Sequence, residues 1–368
     1  MDGAGALPPE KPEEEGAKEG AALCAEKREG AKEGAALCAE KGDGVAGECG
    51  GLFSPLTFAG LALPNNVLLA PMAGYTDLAY RRMCIGLGAG LTFTEMVSSK
   101  GLLYDNAETK KLLRCGEESP KAAQLFGSDP EILRAACESE LLAPYDLIDL
   151  NMGCPMPKIV KNGEGSALLE NRPLAEKVIS ACVKSGKRIS VKFRIGVKEG
   201  DNVAAEFAKL CEGAGACLVT VHGRVRERIY AGEPDYKAIA EAKDAVKIPV
   251  IANGGVWNRK DAEKMLQRTG ADGVMIARAA LYRPQTFSDI LGTPAPSMGE
   301  LFFPLLDEEI NLNGERFALL FLRKMAAFWC KGVRGAAEYK RRLFAADSIE
   351  TLRLIAEELF GPVPSTNG

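Results

Sequence analysis

The chain has 368 residues, of which 46% are hydrophobic and 26% charged, so it is long enough for one large domain plus a smaller one. Its formal net charge of -4 argues against indiscriminate nucleic-acid binding through a basic surface. No apolar run approaches the roughly 18 residues of a membrane span, and the N-terminus lacks a basic export signal, so we expect neither membrane insertion nor export.

The N-terminal segment contains a tandem duplication. Residues 15–27 recur without change at residues 29–41 and are rich in Gly, Ala, Glu and Lys, with one leucine in each copy. Such a composition buries too little apolar surface to offset the entropy lost on ordering. Residues 1–50 are therefore predicted to be a disordered low-complexity extension, and Cys24 and Cys38 to be exposed thiols without a role.

The cysteines indicate a reducing compartment. There are eleven of them, an odd number, scattered and never spaced as Cys-x-x-Cys. This pattern fits reduced thiols better than a disulfide framework or a zinc site. We therefore expect a cytoplasmic protein with no metal site.

From residue 66 onward, short apolar runs alternate with helical patterns, which is typical of a parallel sheet. Helix starts are predicted at Thr76 before Asp77, at Asp129-Pro130, at Asp201 and at Asn258. Eight strand-helix units predict a TIM (β/α)8 barrel at residues 51–291, in preference to an open doubly wound sheet. The predicted strands are Val67 to Ala70, Leu91 to Glu95, Ala122 to Phe126, Leu147 to Asn151, Ile189 to Phe193, Cys217 to His222, Pro249 to Ala252 and Gly273 to Ile276.

Beyond the barrel the pattern becomes helical. Three prolines predict a linker at residues 292–310, followed by a small all-α domain at residues 311–368. Residues 316–342 carry eight Lys or Arg against one Glu, interleaved with aromatic side chains. Such a segment suits a surface that contacts phosphates. A merely solvated helix face is the alternative, and the two remain open at this stage.

Polar and glycine-rich residues follow the predicted strands at their carboxyl ends, where barrels place their active sites. Asn253-Gly254-Gly255 and Arg278 follow the seventh and eighth strands and predict a phosphate clamp, although glycine pairs also occur in ordinary turns. Lys192 and His222, the only histidine, end the fifth and sixth strands. They would point toward whatever the phosphate carries, unless they form internal ion pairs or hydrogen bonds.

The stretch from Asp149 to Lys158 leaves the fourth strand and breaks at once into Gly and Pro around Cys154. Pro155 and Pro157 predict a stiff, extended turn rather than the start of a helix. A cation on this rim, such as Lys192, would stabilise the electron-rich N1/O2 edge of a reduced flavin, and the Gln124 amide would satisfy its pyrimidine edge. Opposite such a ring Cys154 would be a general acid or a nucleophile, and an inert buried cysteine is the alternative.

The order of these motifs resembles the tRNA-dihydrouridine synthases. The resemblance covers residues 52–345, and it extends into the helical domain at residues 321–338. The barrel motifs are Pro71-Met72-Ala73-Gly74-Tyr75-Thr76-Asp77, Thr94-Glu95-Met96, Gln124-Leu125-Phe126-Gly127, Asp149 to Lys158, Lys192-Phe193-Arg194, His222-Gly223-Arg224 and Asn253-Gly254-Gly255.

The resemblance implies an FMN-dependent enzyme that reduces the C5=C6 bond of uridine in tRNA to 5,6-dihydrouridine, with NADPH reducing the flavin. It implies hydride transfer from the flavin to C6 and proton transfer from Cys154 to C5. The implied flavin contacts are Pro71, Met72, Ala73, Gln124, Lys192, His222, Asn253, Gly254, Gly255, Ala277 and Arg278. The implied substrate contacts are Asn151, Arg224, Lys158, Arg323, Lys324 and Lys331.

The target base would be extruded from the tRNA stack into the pocket. A monomer without an obligate protein partner is expected. Two features depart from the family pattern. Ala277 and Ala279 flank Arg278 where relatives often have glycines, and Met325 replaces a common histidine. Two other functions remain open, an FMN barrel acting on a free metabolite such as a dihydropyrimidine or an enone, and a non-enzymatic RNA-binding module.

Overall fold

An eight-stranded parallel sheet forms the centre of the protein in a computed structural model, which describes residues 51–104 and 106–362. Its strands follow a short hairpin of β1 Leu56–Phe58 and β2 Leu61–Leu63 and are β3 Val67–Leu69, β4 Phe93–Ser98, β5 Ala122–Phe126, β6 Leu147–Met152, β7 Arg188–Arg194, β8 Leu218–His222, β9 Val250–Asn253 and β10 Gly273–Ile276. Their order in the sheet is β3-β10-β9-β8-β7-β6-β5-β4. A parallel bridge from Leu68 to Leu91 joins β3 to the segment that leads into β4 and closes the sheet into a barrel.

The predicted TIM barrel is confirmed, and each predicted strand overlaps an observed one. The tandem repeat, Cys24 and Cys38 lie outside the described residues. Fifteen α-helices accompany the strands in the described part of the chain. They are α1 Leu78–Gly86, α2 Ser99–Leu103, α3 Ala107–Leu112, α4 Pro130–Cys137, α5 Pro157–Lys161, α6 Arg172–Val183, α7 Ala204–Gly213, α8 Tyr236–Ala245, α9 Arg259–Thr269, α10 Arg278–Tyr282, α11 Thr286–Leu291, α12 Met298–Asn313, α13 Glu315–Trp329, α14 Ala336–Ala345 and α15 Ile349–Phe360.

Two of the predicted helix starts are confirmed, since Asp129 caps α4 with Pro130 in its first turn and Asn258 caps α9. The start near Thr76 is shifted by one residue, because Asp77 is the N-cap of α1. The start at Asp201 is wrong. Its carboxylate accepts hydrogen bonds from the backbone N–H groups of residues 197 and 198 and so closes the preceding loop, while α7 begins without a side-chain cap.

The predicted extended turn after Cys154 is also wrong. Helix α5 begins at Pro157, with Met156 as its N-cap. The first position of a helix has no intrahelical partner for its N–H group, so proline costs nothing there and its fixed φ favours the helix.

A short antiparallel hairpin that the sequence reading missed covers the amino end of the barrel. It consists of β1 Leu56–Phe58 and β2 Leu61–Leu63. Phe58, Leu61 and Leu63 pack against the inward-facing apolar side chains of the barrel strands. The barrel interior is therefore filled and closed at this end.

The predicted linker at residues 292–310 contains most of a helix, because α12 begins at Met298. A capping box between Ser297 and Glu300 starts it, and Pro304 lies within it. The buried side chains around Pro304, including Phe302 and Leu306, offset the roughly 3 kcal/mol cost of an interior proline. The domain boundaries remain predictions. No helix in residues 51–104 or 106–362 is long and apolar enough to cross a membrane.

Helix α12 packs against α1 through a buried pair of acids. Glu309 is fully buried and faces the carboxylate of Asp77. Burial, together with the Asp77 carboxylate, raises the pKa of Glu309 to about 9. The two side chains therefore share a proton at neutral pH, which avoids an unpaired buried charge.

The Glu309 carboxyl should make stability depend on pH. It takes up a proton on folding between its ordinary pKa of 4.5 and its raised value, so its contribution to the free energy of unfolding falls as the pH rises, by at most about 1.4 kcal/mol per pH unit. Glu309→Gln can still donate a hydrogen bond to Asp77, but its amide does not titrate. The melting temperature of this variant should therefore change less between pH 5 and 9 than that of the wild type. Glu206→Gln, which removes an exposed ion pair to Arg172 and takes away no charge that shifts the pKa of Glu309, is the control and should keep the slope.

Candidate active site

The inward-facing side chains of neighbouring strands form two polar layers toward the carboxyl end of the barrel. In the deeper layer, Gln124 of β5, Asp149 of β6 and Ser190 of β7 are direct register partners. The upper layer contains Asn151 beside Lys192, and His222 beside Asn253. Because side chains alternate along a strand, residues two positions apart on β6 and β7 share this inner face.

A continuous chain of hydrogen bonds connects these layers to the Cys154 loop. Asp149 accepts from Ser190 Oγ and from Gln124 Nε2, both at 2.7 Å. The Gln124 Oε1 atom in turn accepts from Asn151 Nδ2 at 2.9 Å, and Asn151 Oδ1 accepts from the backbone N–H of Cys154 at 2.9 Å. Both side-chain amides are thereby fixed in orientation.

The Cys154 loop is held from two other sides. The carbonyl of Cys154 accepts from Ser166 N at 3.1 Å and Ser166 Oγ at 2.8 Å, and Arg194 Nε donates to the carbonyl of Gly153 at 2.9 Å. Burial raises the pKa of the Cys154 thiol. The side chain therefore stays protonated at neutral pH, which suits proton donation better than thiolate attack.

A half-buried cation lies near this thiol. Lys192 Nζ donates to Asn253 Oδ1 at 3.1 Å, and Asn253 Nδ2 donates to the carbonyl of Met275 at 2.8 Å. Burial, and after it the neighbouring Arg194, lowers the pKa of Lys192 to about 8. The ammonium group remains charged at pH 7, and its strong desolvation makes it an effective partner for negative charge on a ligand.

The glycines after β9 form a cradle with a cationic wall. Gly254 has φ +113°, and a Cβ there would lie 2.7 Å from His222 Cδ2, so only glycine fits. Arg224 donates hydrogen bonds from Nε to the carbonyl of Ala231 and from Nη2 to the carbonyl of Gly232. Its third nitrogen, the buried Nη1, has no hydrogen-bond partner among the described residues. An unsatisfied buried guanidinium nitrogen beside a glycine backbone that an anion can approach closely fits a phosphate.

Three further predicted residues, His222, Ala277 and Arg278, complete this side of the rim. Burial, and then Arg194 and other cations, holds the pKa of His222 well below its ordinary value, so the imidazole is neutral. Ala277 is the N-cap of α10, and the Arg278 guanidinium lies 4.6 Å from the ring centre of Tyr230. This side of the rim therefore presents Arg224 and Arg278 as charged groups and His222 as a neutral hydrogen-bonding group.

The turn after β3 brings the remaining predicted cofactor residues, Pro71, Met72 and Ala73, to the same rim. Thr76 Oγ1 accepts from Met72 N at 3.0 Å and fixes the turn. Gly74 N donates to the side chain of Glu95, a residue to which the sequence reading gave no role. All predicted cofactor residues thus lie at the carboxyl ends of strands β3, β5, β7, β8, β9 and β10.

The predicted substrate-binding cations are spread more widely. Lys158 is exposed on α5, and Arg323 Nη1 lies 3.4 Å from the carbonyls of Phe344 and Ala346 within the helical region. Lys324 turns inward, with Nζ donating to the carbonyl of Gly74 at 2.9 Å and lying 4.1 Å from the ring centre of Tyr75. Lys324 therefore joins α13 to the barrel rim, and its predicted contact with substrate stays a prediction.

Met325, the position where relatives often have histidine, is fully buried in the helical core. Its side chain is a packing residue here. Among residues 51–104 and 106–362, no cluster of His, Cys, Asp and Glu has the arrangement of a metal site.

Sequence reasoning missed the role of Asp149, which it quoted only as the start of a motif. The available signal was its position two residues before Asn151, which places both on one face of β6. Ser190 shares a face with Lys192 by the same alternation. Their contact with Gln124 depends on the register between strands and is visible only in the folded structure.

Asp149→Leu should therefore disturb the site while keeping the side-chain volume. It leaves the Gln124 amide and the Ser190 hydroxyl without an acceptor, at about 1–3 kcal/mol for each buried group, so we expect weaker ligand binding and a lower melting temperature. Asp149→Asn should be milder, because the Ser190 hydroxyl can rotate to accept from the new amide. Equal melting temperatures for wild type and Asp149→Leu would contradict the assigned role.

Comparison with known proteins agrees with this geometry. The family model described as dihydrouridine synthase matches residues 68–355. The chain is 36% identical over 290 residues to tRNA-dihydrouridine synthase B of Pseudomonas aeruginosa, covering 76% of this chain and 87% of that protein. It is 33% identical over 320 residues to a probable tRNA-dihydrouridine synthase of Rickettsia conorii, covering 83% and 97% respectively.

Among solved structures, a 2-naphthoyl-CoA reductase complex superimposes with a TM-score of 0.52 at 13% identity, covering 68% of this chain and 53% of that one. That likeness concerns the fold alone. The family model extends across both the barrel and the helical region. The chain belongs to the dihydrouridine synthase family.

Proposed function

We propose that this protein reduces the C5=C6 bond of uridine in tRNA to 5,6-dihydrouridine, with FMN as the cofactor and NADPH as the electron donor. The observation that carries the proposal is the hydrogen-bonded chain from Asp149 through Gln124 and Asn151 to Cys154. This chain connects the Gln124 amide, which suits the edge of a flavin ring, to the loop that carries the protonated thiol of Cys154. The names of the relatives support tRNA as the substrate.

The residues of the rim fit FMN. Backbone N–H groups at Gly254 and Gly255, with Arg224 Nη1 and Arg278, would hold the phosphate. Lys192 would lie against the electron-rich edge of the isoalloxazine ring and Gln124 against its pyrimidine edge. We assign Arg224 to this cradle rather than to the uracil, because its unsatisfied Nη1 lies 3.0 Å from the Cβ position of Gly254. The flavin, when bound and reduced, supplies the hydride that adds to C6.

Cys154 supplies the matching proton. Its thiol is kept protonated by burial and would donate to C5 of the extruded uracil, while Asn151 positions the loop and offers its amide to the base edge. The cations Lys158, Arg323, Lys324 and Lys331 would contact tRNA phosphates. We place the protein in the cytoplasm, as a monomer, where tRNA, NADPH and reduced thiols occur together.

The test uses purified full-length protein, NADPH and an unmodified tRNA transcript. We expect a yellow protein whose flavin is bleached by NADPH, and dihydrouridine in the tRNA after the reaction, detected by mass spectrometry of nucleosides. A protein that reduces a small enone or a free pyrimidine but leaves tRNA unchanged would contradict the proposal and favour the metabolite reaction. Colourless protein without turnover would contradict it in favour of an RNA-binding scaffold.

A further inference from the structure

Several large side chains are exposed at the mouth of the site and are used neither by the fold nor by the proposed reaction. Ile229, Tyr230 and Trp257 are 48%, 42% and 40% exposed. They lie in the loops that follow β8 and β9. Large apolar side chains grouped around a site opening indicate a contact surface.

Cations alternate with the aromatic rings along this surface. The Arg278 guanidinium lies 4.6 Å from the ring centre of Tyr230 and 5.3 Å from that of Trp257. Lys331, from the turn after α13, lies 5.9 Å from the ring centre of Trp257 and 4.6 Å from that of Tyr282. We call Tyr230, Arg278, Trp257 and Lys331 the rim strip. It connects the mouth of the barrel to the helical region.

The rim strip is held in a fixed position relative to Cys154. Ile229 has φ +46°, a left-handed conformation that is costly for a β-branched residue. Arg194 Nη1 donates to the carbonyl of Ile229 at 2.9 Å, and the same guanidinium binds the carbonyl of Gly153 through Nε. One buried arginine therefore fixes both the Tyr230 loop and the loop of the thiol.

We propose that the rim strip stacks the nucleotides of tRNA that neighbour the target uridine. The inference rests on the proposed function and extends it to a binding surface. Aromatic faces stack on any nucleobase, and Lys331 can neutralise a phosphate between successive bases. Arg278, which would hold the FMN phosphate, contributes to the strip by its contacts with the rings of Tyr230 and Trp257. The rim strip extends from the barrel mouth to Lys331, which is farther than a single uridine in the pocket would reach. Such a surface suits the nucleotides on either side of a base that has been extruded from the stack.

Tryptophan fluorescence tests this surface directly. The chain has only two tryptophans, Trp257 on the strip and Trp329, which is 4% exposed in the helical core. Titration with unmodified tRNA should quench the wild-type emission, and the Trp257→Phe variant should lose that response. NADP⁺ alone is the second probe. Quenching by NADP⁺ with no further change on adding tRNA would assign the strip to the electron donor and overturn the proposal.

Kinetics give an independent measurement. Trp257→Ala should raise the KM for tRNA about tenfold or more, the range expected for one lost base stack, with a smaller change in kcat. Trp257→Phe retains a ring and should restore KM to within a few fold. Leu141→Ala, a substitution of an exposed apolar residue in the turn before β6 at the opposite end of the barrel, should match the wild type.

The outcomes distinguish the rim strip from the proposed function. The rim strip alone is overturned if the wild-type protein forms dihydrouridine but its tryptophan emission does not change on adding tRNA and Trp257→Ala leaves the KM for tRNA unchanged. Wild-type protein that forms no dihydrouridine overturns the proposed function.

Discussion

Replacing Cys154 by alanine is expected to lower dihydrouridine formation in tRNA by about a hundredfold or more, the usual contribution of a positioned general acid. The flavin should remain bound at the wild-type level, because Cys154 does not line the cradle formed by Gly254, Gly255 and Arg224. The measurement combines the flavin absorbance of the purified protein with the single-turnover rate of dihydrouridine formation by protein reduced beforehand.

The control is Cys217→Ala. Cys217 is another half-buried free thiol, but it precedes β8 at the amino end of the barrel, so its removal should leave the rate within a few fold of wild type. If Cys154→Ala forms dihydrouridine at the wild-type rate, the thiol takes no part in the reaction. Loss of flavin in that variant would instead make Cys154 a structural residue of the cofactor site.

Replacing Lys192 by methionine should slow the reduction of the flavin by NADPH by about 10² to 10³, the typical effect of losing one preorganised electrostatic donor. Methionine keeps the length of the side chain and removes its charge. The flavin midpoint potential should fall as well, because the reduced ring loses its cationic partner. Stopped-flow absorbance and a redox titration measure the two effects.

The Lys192 charge also predicts a pH dependence. With a pKa of about 8, the ammonium loses its proton as the pH rises through that value, so the wild-type rate of flavin reduction should decline above pH 8. Lys192→Met should show no such decline. The control Lys187→Met removes a lysine that binds the carbonyls of Leu142 and Tyr145 at the amino end, and it should lower stability while leaving both the rate and its pH profile unchanged.

The barrel could be predicted from sequence because its strands are short apolar runs bounded by helical patterns and turn residues. The same alternation that identifies β6 and β7 places Asn151 and Lys192 on the inner face. Cys154 stood out because it directly follows a strand end. These features depend on local sequence, and local sequence is sufficient for them.

The remaining features depend on contacts between distant segments. Pro304 was read as part of a linker, yet tertiary packing of α12 overrides its local preference. Pro157 was read as a turn residue because its position relative to the helix start was unknown. Arg278 approaches Tyr230 and Trp257, and Lys331 approaches Trp257. These contacts join distant loops, and no periodicity in the chain encodes them.

The hairpin of β1 and β2 has a consequence for the order of events. It fills the amino end of the barrel with Phe58, Leu61 and Leu63, so in the part of the chain that the structure describes a ligand reaches Lys192 from the carboxyl rim. Under the proposed function, NADPH and tRNA both need the same flavin ring and would therefore occupy this opening by turns. The catalytic cycle would accordingly be a double displacement, in which the first product leaves before the second substrate enters.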